Sequence, residues 1–114
     1  MQKLLMVLVL SVGLFGTAYA YGGFNDGGSS LATVKDALRK ADNSYVTLQG
    51  NITKRITSDE YLFQDATGTI QVEIDDEEWM GQVVNAQNVI EITGEIDKEF
   101  TRTKVDVNTV KIIK

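Results

Sequence analysis

From Ser44 onward, apolar and polar residues alternate with a period of two, the mark of half-buried strands. Val46, Leu48 and Ile52 alternate with Thr47, Gln49 and Asn51, predicting a long first strand with Gly50 in an apolar slot. A glycine there predicts a bulge or a sharp coil. Thr57-Ser58-Asp59 turns the chain, and Glu60 to Asp65 forms a second strand. Ala66-Thr67-Gly68 is a tight hairpin loop with Gly68 available for positive φ. The third strand runs from Thr69 to Asp75, where Ile70, Val72 and Ile74 alternate with Gln71 and Glu73. A fourth covers Val89 to Asp97, with Ile90, Ile92 and Ile96 inward and Gly94 again mid-strand. After a turn over Glu99 to Thr103, Lys104 to Ile113 makes the fifth, whose apolar phase shifts between Val107 and Val110, predicting another bulge.

Two segments break this alternation. Val34, Ala37, Leu38 and Ala41 lie at i, i+3, i+4 and i+7, one apolar helical face. Thr33 is placed to cap that helix, with Asp36 three residues on as a capping-box variant, and Arg39 and Lys40 fall in the last turn. Asp76 to Val84 predicts one or two further turns, capped by Asp75, with Trp79 and Val83 pointing into the core together. The order is helix, three strands, short helix, two strands. That is the order of a mainly β, five-stranded OB-fold Greek-key barrel with an N-terminal helix.

The N-terminus changes where such a barrel works. Lys3, an apolar run from Leu4 to Phe15, and Ala18-Tyr19-Ala20 make a secretory signal peptide over residues 1–20, too short for a transmembrane anchor. Export to the periplasm after cleavage behind Ala20 is the expectation. Residues 21–32, opening YGGFNDGGSS, read as a flexible Gly-rich leader, and residues 33–114 as the barrel domain. Loss of Lys3 takes the formal charge from −5 to −6, since no acid leaves with it.

Absent residue types narrow the chemistry. The chain has no His and no Cys. The usual general base, thiol nucleophile, soft-metal ligands and disulfide staples are therefore missing. The expectation is a protein that is not an enzyme, with no cofactor, no metal site and no catalytic residues.

Several segments resemble one family in order along the chain. They include Thr33-Val34-Lys35-Asp36-Ala37-Leu38, Leu48-Gln49-Gly50-Asn51-Ile52, Tyr61-Leu62-Phe63-Gln64-Asp65 and Thr67-Gly68-Thr69-Ile70-Gln71-Val72-Glu73-Ile74-Asp75. Trp79-Met80-Gly81, Ile92-Thr93-Gly94-Glu95-Ile96-Asp97 and Val105-Asp106-Val107 complete the set. The chain resembles the bacterial OB-fold (BOF) family, periplasmic stress-induced proteins of the YgiW/YdeI type. The resemblance implies a non-enzymatic periplasmic binding domain linked to envelope stress tolerance, and carries over no active-site residues. The family usually has Pro in the leader and before the fourth strand; this chain has neither, and Ala86 holds the second place.

Two candidate sites follow. OB folds bind across strands two and three, which implicates Tyr61, Phe63, Gln71 and Glu73, flanked by Arg55 and Arg102 on the bordering loops. Tyr61 and Phe63 share one face, and if it is the exposed one it carries two rings. The acidic run Asp75-Asp76-Glu77-Glu78 could attract cations, but reads better as a helix cap with a negative first turn. Trp79 reads as a core plug. Nucleic acid is not an expected partner, because Glu73, Glu91, Glu95 and the net charge oppose a polyanion. Stable membrane insertion after signal cleavage is not expected either. The expected ligand is a small molecule, a cell-wall glycan fragment or a cationic peptide. The alternative is a structural or regulatory protein docking on another envelope protein.

Overall fold

The computed structural model describes residues 30–114. The expected signal peptide and most of the expected leader lie outside the described residues. Eight elements follow one another: β1 (Leu31–Ala32), α1 (Val34–Ala37), β2 (Tyr45–Arg55), β3 (Glu60–Asp65), β4 (Gly68–Glu73), α2 (Asp76–Trp79), β5 (Ile90–Glu99) and β6 (Arg102–Ile112).

The five long strands close into a barrel. β2, β3 and β4 meander antiparallel, β4 pairs in parallel with β6, β6 pairs antiparallel with β5, and β5 returns to β2. β2 serves both sides of the closure: Tyr45 to Gly50 pair with β5, and Asn51 to Arg55 pair with β3. This is the five-stranded cylinder expected from the element order. Leu31 and Ala32, read as leader from composition, instead pair in parallel with Thr47 and Leu48 of β2.

The period-two residues fill the interior. Val46, Leu48, Phe63, Val72, Ile74, Ile90, Ile92, Ile96 and Val105 are essentially sealed from solvent. With no disulfide, burying these side chains is the main source of stability. Gly50 and Gly94 sit where barrel coiling brings backbones together. A Cβ at Gly50 would collide with the Gln64 carbonyl, and one at Gly94 with the Asp106 carbonyl. Gly50 is thus a point of close approach, not a bulge; the bulge in β2 falls at Thr53, between the Ile52–Phe63 and Lys54–Leu62 pairs. The bulge predicted in the last strand is present, with Asn108 left over between the Thr93–Thr109 and Gly94–Val107 pairs.

Both helices are shorter than their periodicity suggests. Thr33 and Asp36 make the full capping box, yet α1 ends at Ala37, and Leu38 is 41% exposed. Asp65 and Thr67 of the β3–β4 hairpin reach over to this helix start, so the first turn is tied to the barrel. Gly68 lies in β4 and needs no positive φ, which among the described glycines occurs only at Gly81. Among the described residues no helix is long and apolar enough to cross a membrane.

Candidate ligand-binding site

The outer face expected to bind ligand is occupied by its own charges. Lys104 is only 7% exposed, and its Nζ lies 2.7 Å from Glu73 Oε1 and 3.6 Å from Glu60 Oε2. The hydrogen bond that Lys104 donates to Glu73 holds the ammonium above its usual range against the opposing effect of burial. Beside it, Arg102 Nη2 meets Glu99 Oε1 at 3.1 Å, and its Nη1 donates to Gln71 Oε1 at 3.4 Å. Gln71, Glu73 and Arg102 are therefore cross-strand partners that hold β4 against β6.

Tyr61 and Phe63 do share a face, but it is the inner one: they are 7% and 0% exposed. Leu62 takes the outer side. The outer face thus carries no aromatic platform from β3, and Phe63 leaves the candidate set. The three apolar residues in succession had concealed which face would be buried.

The acidic run does not cap α2 as its composition suggests. Asp75 stands at the N-cap position with extended backbone, but its side chain makes no capping hydrogen bond. Its carboxylate lies with those of Asp59 and Glu73 within 4.8 Å of one another. Partial burial, with Glu73 and Asp59 close by, pushes the Asp75 carboxyl above its ordinary value.

A groove lies elsewhere, along one side of the barrel. Beyond the Gly50–Ile90 pair, β2 and the chain leading into β5 separate. The gap, about 650 Å³, is walled by Ile52 to Arg55 on one side and by Gly81 to Ala86 on the other, with Tyr61, Trp79 and Asp76 completing it. Its size falls in the usual range for small-ligand sites. Asn51 marks where the strands part: its Nδ2 donates to the carbonyls of Asn88 at 2.8 Å and Ala86 at 3.3 Å. Gln82 Nε2 fixes the far wall, donating to the carbonyls of Trp79 at 3.0 Å and Val110 at 2.9 Å.

Three side chains form a graded floor. Trp79 meets Tyr61 edge-on, centroids 5.7 Å apart and planes at 85°. Arg55 lies over the Tyr61 ring at 5.5 Å, and its Nη2 donates to Tyr61 Oη and to the Ser58 carbonyl, each at 3.2 Å. Trp79 is half-buried against the core and half open to the groove, and among the described residues its indole N–H has no partner. The Trp-x-Gly motif explains this placement. Met80 (φ 50°) and Gly81 (φ 77°) are both left-handed, so the chain reverses straight after Trp79 and runs on as the groove wall. That reversal also carries Val83 outward, 89% exposed, where helical spacing had placed it in the core.

Of the expected site residues, Arg55 and Tyr61 therefore meet at the groove, while Gln71, Glu73 and Arg102 stand apart on the outer face. Trp79, Ile52, Val83, Val84 and Lys54 are groove residues that the sequence did not single out for binding. The adjacent cations at the end of the first strand were the available signal.

Closed strand order, the helix between the third and fourth barrel strands, and a lateral groove define a small OB-type barrel. The chain belongs to the bacterial OB fold (BOF) protein family, whose pattern matches residues 14–112. It is 41% identical over 109 residues to the calcium-regulated OB-fold protein CarO of Pseudomonas aeruginosa, covering 94% of each chain. It is 43% identical over 82 residues to protein YgiW of Escherichia coli K12, covering 72% of this chain and 63% of that protein. The solved structure of E. coli YgiW matches with a TM-score of 0.73 at 41% identity, covering 75% of this chain and 91% of that one.

Proposed function

We propose that this chain is an exported, non-enzymatic binding protein of the bacterial periplasm that serves envelope stress tolerance and holds its ligand in the groove between β2 and the β5 approach. Export is supported by the signal pattern of residues 1–20. The stress role is supported by family resemblance. The observation that carries the binding site is a contrast in charge pairing. On the outer face Arg102 and Lys104 are matched by Glu99, Glu60 and Glu73, whereas no described carboxylate comes within 4 Å of Lys54 or Arg55 at the groove. Unmatched cations beside an aromatic floor and an open indole N–H suit a ligand with an apolar body and oxygen acceptors.

A small molecule or a glycan fragment meets that description. A cationic peptide, suggested by the net charge, would meet Lys54 and Arg55 in the groove and fits it poorly. The alternative of docking on another envelope protein has one observation in its favour, the free strand edge in the groove wall.

Native mass spectrometry of protein taken from its own periplasm tests the reading, with the emission of Trp79 as second readout, since the chain has one Trp. A co-purifying molecule whose removal and return shift Trp79 emission is expected. A bound molecule that leaves Trp79 unaffected would place the site elsewhere.

A further inference from the structure

The groove wall contributed by β2 is a strand edge. Residues 51–55 pair with β3 on one side, and β5 ends its pairing with β2 at Gly50. Among the described residues no strand occupies the other side of Ile52–Arg55. In an antiparallel pair successive residues direct their N–H and C=O groups to opposite sides, so part of this stretch offers backbone donors and acceptors to the groove. The opposite wall, Gln82 to Asn85, lies outside every helix and strand. The strand edge and this irregular wall leave a slot beside β2.

The geometry points to an extended, acidic polypeptide segment of another protein as the occupant, adding one strand to the Ile52–Arg55 edge. This deepens the groove reading above and rests on it. Main-chain pairing would supply affinity, and side chains on alternate positions of the added strand would supply selectivity. Four residues of edge measure about 13 Å, enough for a strand of about four residues. One side of that strand faces Trp79, Val84 and Ile52, which are packed against the core, and so would carry apolar residues.

Charge selects among strands. Among the described residues, Lys54 and Arg55 are exposed and lack carboxylate partners, and the only acid lining the groove is Asp76. A second copy of this chain paired antiparallel on the same edge would set Lys54 and Arg55 against themselves. Like charges directly opposite across a strand pair are destabilising, as edge lysines commonly ensure. An acidic strand turns the same residues into partners. The net negative charge of the protein opposes this only weakly, because exposed charges farther off than about 8 Å are screened at physiological salt.

The test pans a displayed library of random nine-residue peptides against the mature full-length chain. Enriched peptides are synthesised and titrated by calorimetry, with amide hydrogen exchange as the structural readout. Enrichment of Asp or Glu among alternating apolar residues is expected, with slowed exchange at amides within Ile52–Arg55. N-methylation of alternate peptide amides should weaken binding at least about tenfold by removing the ladder. Arg55→Glu should do the same while leaving the melting temperature within a few degrees. Absence of enrichment, equal affinity of N-methylated peptides, or protection confined to the outer face would overturn the inference. If a glycan or small molecule shifts Trp79 emission while no peptide binds, the groove reading stands and the added strand falls. If every ligand maps outside the groove, both fall.

Discussion

The Asp65 carboxylate accepts the backbone N–H of Val34 at 2.9 Å, joining the β3–β4 hairpin to the first turn of α1 across 31 positions of sequence. The other oxygen accepts from the Thr67 N–H at 2.7 Å and the Thr67 hydroxyl at 2.6 Å, and Thr67 Oγ1 accepts from the Lys35 N–H at 3.0 Å. Orphan donors of a four-residue helix are thus satisfied from a distant hairpin. Such a short helix would not persist alone, so its position depends on this clasp.

Burial works against ionisation of Asp65, but the hydrogen bonds from Thr67, Val34 and Gly68 outweigh it and hold the carboxyl below its ordinary value. A depressed carboxyl contributes stability that is fully present above the unfolded value, about 3.9, and lost as pH falls through the folded one. Asp65→Ala should cost about 1–3 kcal/mol at pH 7 in urea unfolding. The gap between variant and wild type should narrow below about pH 3.9. An unchanged gap at acid pH would mean that the neutral side chain holds the helix equally well.

Gly94→Ala should be among the most damaging single-methyl changes, because the new Cβ would strike the Asp106 backbone carbonyl at the β5–β6 bulge. Backbone cannot move aside as a side-chain tip can, so a loss of about 3 kcal/mol or more is expected in thermal or urea unfolding. Gly50→Ala should behave alike against Gln64. A neutral result at either position would show that the barrel is less tightly coiled there.

Lys104→Met should destabilise although the stem is replaced by a similar apolar chain, because Glu73 and Glu60 lose their shared cation. Those carboxylates are 27% and 18% exposed, so the cost should be moderate, about 1–3 kcal/mol. For the native lysine, whose folded value is raised, the stabilisation is complete below the unfolded value, about 10.4, and is lost as pH rises through the folded one. Urea unfolding between pH 7 and 11 checks both points. Equal stability of variant and wild type at pH 7 would show that the pair contributes nothing.

Gly81→Ala separates torsion from packing at the groove. Among the described residues, no atom beyond its chain neighbours lies within 4 Å of the added Cβ, and the strain is confined to φ 77°. A stability loss of about 1 kcal/mol is expected, with a larger relative effect on ligand affinity, because the reversal that sets Trp79 opposite Val83 relaxes. Calorimetric unfolding and a Trp79 titration measure the two separately. Full affinity in Gly81→Ala would detach the Trp-x-Gly turn from binding.

The barrel was legible in the chain because, within each strand between Val46 and Val107, its core residues recur at every second position. Even the last bulge showed, as a phase slip before Val110. Tyr61, Leu62 and Phe63 were not legible, since an unbroken apolar triplet has no phase of its own. Lys104 reads from sequence as a surface residue, and its burial depends on Glu60 and Glu73 arriving from two other strands. The groove escaped for a related reason. It arises where β2 and residues 81–86 part company, a non-local event along a segment with neither helical nor strand period. Val83 was misplaced because helical spacing was extended past Trp79, where Met80 and Gly81 turn the chain.

The claim that most needs testing is that ligand enters the groove and not the outer face of β3 and β4. Backbone amide NMR shifts of ligand-loaded against ligand-stripped protein decide it directly. The account predicts that perturbations concentrate at Ile52 to Arg55, Trp79 and Gly81 to Ala86, with Gln71, Glu73, Arg102 and Lys104 unmoved. Shifts centred on Gln71, Glu73 and Arg102 with a silent Trp79 would contradict it.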